Sequence, residues 1–106
     1  RMLLCPDATG RTIEAIAEAT ALAFGVCGEA LRSPDRIQKV SFVRKVAMYI
    51  CREDTEEPLQ VIGAFFGRNH STVISSCNSV AEMLQNNEDL AWRIQEIRYS
   101  FGRENN

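Results

Sequence analysis

Long apolar segments are absent from this sequence of 106 residues. No run approaches the roughly 20 apolar residues that cross a bilayer as a helix. The opening RMLLCPDATG is interrupted too early by Pro6 to act as a secretory signal. We therefore expect a protein without a membrane partner, located in the cytoplasm. The chain opens with Arg1 rather than Met, which leaves open both a piece cut from a longer protein and a free-standing protein.

Metal-binding and catalytic patterns are equally scarce. The chain has one histidine, and its four cysteines form no CxxC pair, so we expect free thiols in a reducing compartment rather than a zinc site. It also lacks the GxxxxGK[ST] loop that holds nucleotide phosphates. His70, Ser71 and Cys77 do not form a triad pattern, because adjacent helical residues point about 100° apart and no orienting acid is close in sequence. We predict neither an enzyme nor a bound cofactor or metal.

Charge is nearly balanced overall but unevenly distributed. The formal net charge is −2, and 45% of the residues are hydrophobic, which is typical of one globular domain. The segment from Arg32 to Arg52 carries six basic residues and one acid, and the acidic residues of EDTEE follow it. Because electrostatic forces act over a Debye length of about 8 to 10 Å, the basic segment can attract an anionic partner locally.

Apolar residues recur with a period of 3.6 and show no period of 2, which predicts an all-α domain of six helical pieces. We expect Thr12 to cap the first helix, Gly25 to end it and Ser41 to begin the next. Pro58 is expected at the first position of a short helix that ends at Gly67, and a longer helix begins near residues 69–71. The residues predicted to face inward are Ile13, Ile16, Ala17, Thr20, Phe24, Val43, Val46, Ala47, Ile50, Cys51, Leu59, Ile62, Phe66, Val73, Cys77, Val80, Ala81, Leu84, Leu90, Ile94, Ile97 and Phe101, with Trp92 and Tyr99 also packing the last helix.

The stretch GAFFGRNHSTV, residues 63–73, places five polar residues between two apolar segments. A short helix, a glycine turn and a longer helix over about 58–86 are the pattern of a helix-turn-helix. Gly63 lies four residues before Gly67, where crossing helices need close backbone approach, and Val73 is placed to pack between them. In such a motif the second helix enters the major groove of DNA by its N-terminus.

The polar residues at that N-terminus, Asn69, His70, Ser71 and Thr72, suit base reading. An asparagine pairs with adenine, hydroxyls bond several base edges, and the helix N-terminus presents free N–H groups to phosphate. The alternative is that Asn69 and Ser71 only cap the helix and His70 only fills the turn.

Basic residues around the motif favour the DNA interpretation. Arg44, Met48 and Arg52 are spaced by four and so share one helix face, which we expect on the surface with Lys45 beside it. Arg36 and Lys39 lie in the loop before that helix. Three basic elements around one reading helix suggest phosphate contacts and an arm that reaches a groove.

The segments FVRKVAMYICRED and PLQVIGAFFGRNHSTVISSC resemble the C-terminal DNA-binding domain (domain IV) of the bacterial chromosomal replication initiator family, DnaA. TIEAIAEATALAFGV resembles its first helix, so the similarity covers residues 12–84. The resemblance implies a TrpR-like helix-turn-helix preceded by a basic loop and helix, in a DnaA domain or a stand-alone protein like it. We expect an extension or linker at 1–11, the DNA-binding domain at 12–101 and a tail at 102–106.

The resemblance also implies sequence-specific binding of double-stranded DNA at an A·T-rich box in replication initiation. The implied setting is a monomeric, nucleoid-associated domain that also meets a regulatory protein. By position, the resemblance assigns base reading to Asn69, His70, Ser71, Thr72 and Ile74, a minor-groove contact to Arg36, and backbone contacts to Lys39, Arg44, Lys45, Arg52, Gln60 and Arg68.

The sequence departs from the family motif at the reading helix. Asn69 replaces an acid and can donate as well as accept, so we expect a different base preference there. Ser71 replaces a threonine, the turn is one residue shorter, and the loop has fewer arginines. Two alternatives keep the same scaffold: a transcriptional regulator, and a helical protein-interaction module that has lost strong DNA binding, which the net negative charge favours.

Overall fold

The structure is a computed structural model that describes the backbone of residues 12–32, 37–55 and 57–104, with side chains through Tyr99. Within these ranges the chain forms only helices, so the all-α prediction is confirmed. The predicted extension 1–11, Cys5 and Arg36 lie outside the described residues. The elements are α1 (Ile13–Phe24), a 3-10 helix (Gly28–Arg32), α2 (Gln38–Asp54), α3 (Leu59–Phe66), α4 (His70–Asn86) and α5 (Glu88–Glu104).

Most helix ends follow local chemistry. Thr12 caps α1 by accepting a hydrogen bond from the Ala15 N–H at 3.1 Å, and Gly25 ends it, as predicted. Pro58 is the N-cap of α3 rather than its first residue, as the helix begins one residue later than predicted. The larger difference is at α2, which begins at Gln38 rather than Ser41 and has no side-chain cap. Val40 is buried and extends the apolar face by a turn, so packing rather than a cap sets this start.

The core is organised around α2, which packs against each of the other five elements. Most predicted inward residues are buried or packed against the core, but Ala81, Trp92 and Tyr99 are exposed. The prediction for these three was wrong. The buried face of α5 runs through Leu90, Ile94 and Ile97. At about 100° per residue, Trp92 projects away from that face. The predicted side-chain position of Phe101 lies outside the described residues.

None of the helices in the described ranges has both the length and the apolar character that crossing a membrane requires. The same ranges contain no group of three or more metal-ligating side chains.

Candidate nucleic-acid interface

Helices α3 and α4 form a helix-turn-helix with a three-residue connection, Gly67 to Asn69. Gly67 has a φ of 70° and a ψ of 33°, a left-handed conformation that glycine adopts without a steric penalty. A Cβ atom on Gly63 would overlap the Arg68 carbonyl oxygen and approach Val73 Cγ2 to 3.3 Å. The predicted close approach of the two helices at Gly63 and Val73 is therefore confirmed.

Two guanidinium groups satisfy carbonyl groups at the C-terminus of α3. Arg32 Nε donates to the Phe65 carbonyl at 3.3 Å, and Arg68 Nη1 donates to the carbonyls of Phe66 at 3.2 Å and Gly67 at 3.0 Å. These carbonyls have no partner within the helix, and the negative end of the helix dipole favours cations there. Sequence reasoning missed this function of Arg32, because its acceptor lies 33 residues away.

The N-terminal turn of α4 projects beyond the packed face of the helix. His70 and Ser71 are exposed, Thr72 is half-buried, and Ile74 keeps 37% of its surface accessible. The buried face begins at Val73. No acidic residue occupies this first turn, so the positive end of the helix dipole is available to an anion.

Asn69 is the N-cap of α4. Its side-chain oxygen accepts a hydrogen bond from the Thr72 N–H at 2.9 Å, so the alternative interpretation of Asn69 as a cap is correct for this atom. The side-chain NH₂ remains a donor. A base opposite Asn69 would therefore meet a donor, whereas an acid at this position offers only acceptors.

Several predicted backbone-contacting residues are accessible. On α2, Lys39 and Arg52 are exposed and Lys45 is half-buried, and Gln60 is exposed in the first turn of α3. Burial raises the pKa of the Cys77 thiol on α4, and the Arg52 side chain partly opposes that shift. Arg52 of α2 is therefore close to α4.

The expected surface position of Arg44 is wrong. Arg44 is only 4% exposed and Met48 only 1%, because α2 is surrounded by neighbours. Arg44 Nε donates to the Leu31 carbonyl at 2.8 Å, and Nη2 donates to the Ala30 carbonyl at 3.4 Å. Its guanidinium thus anchors the end of the 3-10 helix to α2, and this buried position does not support the predicted contact with a DNA phosphate.

Three cysteines in the described ranges are free thiols, with Cys27 exposed and Cys51 and Cys77 buried. Burial, followed by the nearby Cys77 and Asp54, raises the pKa of Cys51 to about 12. A thiol that stays protonated at neutral pH is a poor nucleophile. Cys51 and Cys77 therefore serve as small apolar core residues.

A comparison with known protein families and a comparison with individual proteins both find DnaA proteins. Residues 13–80 match a family described as the bacterial DnaA protein helix-turn-helix. Chromosomal replication initiator protein DnaA of Streptococcus pyogenes serotype M49 is 35% identical over 94 residues, which cover 88% of this chain and 21% of that protein. The corresponding protein of Caldanaerobacter subterraneus is 32% identical over 87 residues, which cover 82% of this chain and 20% of that protein. That of Deinococcus deserti is 35% identical over 75 residues, which cover 71% of this chain and 16% of that protein. The chain thus spans about a fifth of the length of these relatives.

Proposed function

Because the chain belongs to the bacterial DnaA helix-turn-helix family, we propose that it binds double-stranded DNA sequence-specifically, as a box-reading module in replication initiation. The observation that supports this function best is the exposed first turn of α4. His70 and Ser71 project there from a helix whose packed face begins only at Val73. Relatives named as chromosomal replication initiator proteins supply the biological setting of the proposal.

The N-terminus of α4 enters the major groove in this proposal. His70, Ser71, Thr72 and Ile74 face base edges, where hydroxyls bond donors or acceptors and methyl groups meet the thymine methyl. The unopposed positive end of the helix dipole favours the approach of the N-terminus to DNA. Asn69 keeps its capping hydrogen bond and offers its NH₂ to an acceptor such as adenine N7 or guanine O6.

Phosphate contacts flank the reading turn. Arg52 is exposed on α2 and close enough to α4 to lower the pKa of the Cys77 thiol, and Lys45 precedes it by about two turns on α2. Lys39, Gln60 and Arg68 complete the proposed backbone contacts. The minor-groove assignment of Arg36 rests on the family resemblance alone. Each phosphate that one of these lysines or arginines neutralises makes the affinity fall more steeply as the salt concentration rises.

Selection of duplexes from a random pool, followed by fluorescence anisotropy titration, tests this function. We expect the selected sites to share an A·T-rich box and to bind more tightly than a scrambled duplex of equal composition. His70→Ala and Thr72→Ala should each weaken binding to the selected site by about 1–3 kcal/mol, which is about 5- to 150-fold. Their affinity for the scrambled duplex should stay near that of the wild type.

The matched control is Gln85→Ala, which alters an exposed residue near the far end of the same helix. It should bind both duplexes like the wild type. Equal affinity of the wild type and a His70→Ala/Thr72→Ala double variant for every duplex would remove the reading-helix assignment. Failure of the wild type to bind any duplex would instead favour the protein-interaction alternative, which nuclease-treated pull-down then tests. Genomic matches to the selected sequence that cluster in promoters rather than at an origin would favour the transcriptional regulator.

A further inference from the structure

Arg32 makes two contacts with one residue of the helix-turn-helix. Its Nε donates to the Phe65 carbonyl at 3.3 Å, and its guanidinium carbon lies 4.6 Å from the centroid of the Phe65 ring. The ring face attracts the cation, and the carbonyl belongs to the C-terminus of α3, which also favours positive charge. The Arg32 side chain is therefore directed onto α3 by two attractions of different origin.

The backbone of Arg32 is also close to the turn. Its carbonyl oxygen would lie 3.7 Å from a Cβ atom on Gly67. Together with Glu29, Ala64 and Phe65, these two residues line an open cleft between the 3-10 helix and α3. The end of the 3-10 helix thus lies directly against the turn that connects α3 to α4.

The 3-10 helix is itself fixed to the core. Buried Arg44 donates to the carbonyls of Leu31 and Ala30, at 2.8 Å and 3.4 Å. A continuous series of contacts therefore runs from α2 through Arg44 to the 3-10 helix, and from there through Arg32 to the end of α3.

We propose that Arg32 is a positioning residue for DNA recognition. By holding the Phe65 carbonyl and ring, it fixes the end of the 3-10 helix and the C-terminus of α3 relative to each other, so that the turn at Gly67 sets one orientation of α4 against DNA. In this function Arg32 neutralises no phosphate. The side chains of a binding site must be held within about 0.5 Å of the geometry that binds, and supporting residues such as Arg32 provide this precision. The inference rests on the proposed DNA binding.

The salt dependence of binding separates positioning from phosphate contact. We expect Arg32→Ala to lower affinity for the selected duplex about tenfold, to lower affinity for a scrambled duplex much less, and to leave the slope of log K against log salt unchanged. Loss of a phosphate contact would instead reduce that slope by about 0.9 and weaken both duplexes alike. Arg32→Gln keeps a donor for the Phe65 carbonyl and should restore part of the specific affinity, although it is uncharged.

Arg93 provides a matched control. It donates from Nη1 to the Ala23 carbonyl at 3.2 Å and lies 5.3 Å from the centroid of the Phe24 ring, so it makes the same two kinds of contact at the end of α1. Arg93→Ala should leave the ratio of specific to non-specific affinity unchanged. Circular dichroism melting establishes the temperature at which each variant is fully folded, and binding is measured below it.

Phe65→Leu keeps the carbonyl but removes the ring, and provides a second, milder test. Its loss of specificity should not add to that of Arg32→Ala, because both variants remove the same contact between the Arg32 guanidinium and the Phe65 ring. The inference is overturned if Arg32→Ala matches Arg93→Ala, if its salt slope falls by about 0.9, or if the two losses add fully. A wild type that fails to discriminate the selected duplex would overturn the proposed function as well, so the two failures are distinguishable.

Discussion

Arg98 of α5 holds Asp54 at the end of α2 in a two-point ion pair. Arg98 Nη2 lies 2.7 Å from Asp54 Oδ1, and Nε donates to Oδ2 at 3.0 Å. The Asp54 side chain is 4% exposed and that of Arg98 is 37% exposed. The pair therefore lies between an exposed ion pair, which contributes little, and a fully buried one, whose disruption is costly.

We expect Arg98→Met to lower the free energy of unfolding by about 2 kcal/mol, because it leaves a buried carboxylate without its partner. Urea unfolding measures this loss. The Arg98→Met/Asp54→Asn double variant should lose less than the sum of the single variants, because both remove the same interaction. Additive losses would show that the ion pair is not the cause.

Arg44 and Lys45 are neighbours on α2 with opposite surroundings, since Arg44 is buried and Lys45 is half-buried at the surface. Arg44→Met should destabilise the fold by about 1–3 kcal/mol, because the Leu31 carbonyl loses its partner, and should leave the salt slope of DNA binding unchanged. Lys45→Met should leave stability within about 0.5 kcal/mol and reduce the salt slope by about 0.9. The reverse assignment of the two effects would refute the corrected position of Arg44.

Gly63 is the residue that lets α3 and α4 approach each other. A methyl group there would overlap the Arg68 carbonyl oxygen, which belongs to the backbone of the turn. Since backbone moves less readily than a side-chain tip, Gly63→Ala should cost about 1–3 kcal/mol of stability and also weaken specific DNA binding. Ala64→Ser, at the exposed neighbouring position, is the control for both measurements. Unchanged stability of Gly63→Ala would contradict the close approach.

Asn69 combines a structural function with the proposed reading function, and substitutions separate them. Asn69→Ala should lower stability by about 1 kcal/mol, since the Thr72 N–H loses its capping acceptor. Asn69→Asp keeps an acceptor at the helix N-terminus and should be at least as stable as the wild type. Repeating the site selection with Asn69→Asp should change the preferred base at one position. An unchanged selected sequence would limit Asn69 to capping.

The Cys51 thiol makes stability depend on pH in the alkaline range. Burial raises its pKa from 9.0 to about 12, so the unfolded chain releases this proton at lower pH than the folded one. The contribution is complete below about pH 9 and is lost as the pH rises towards 12, at up to about 1.4 kcal/mol per pH unit. The stability difference between the wild type and Cys51→Ala should therefore shrink over that interval. The control for removal of an exposed thiol is Cys27→Ala, and a pH-independent difference for Cys51→Ala would contradict the shift.

Local chemistry was sufficient to predict most of the fold. Thr12 begins α1, and Gly25 and Gly67 end α1 and α3, through contacts with residues a few positions away. A short stretch of sequence contains all the residues that make such contacts. The helix-turn-helix followed for the same reason, since the spacing of Gly63, Gly67 and Val73 encodes the crossing of α3 and α4.

The errors concern contacts between distant segments. The spacing of Arg44, Met48 and Arg52 could not show that the first two are buried or that Arg44 meets the 3-10 helix, whereas Arg52 is exposed. The acceptor carbonyls of Arg44 belong to residues 13 and 14 positions away, beyond the reach of a local pattern. Trp92 was expected to pack the last helix, but its angular position on α5 takes it away from the buried face.

The division of α4 at Val73 has an evolutionary consequence. The buried face of the helix begins at Val73 and Asn69 caps its N-terminus, whereas His70 and Ser71 are exposed to solvent. Under the proposed function, mutation at these two sites can change the DNA sequence that the protein recognises without compromising its ability to fold. Proteins descended from one ancestral scaffold are then free to diverge in the chromosomal sites they bind while sharing an unaltered interior.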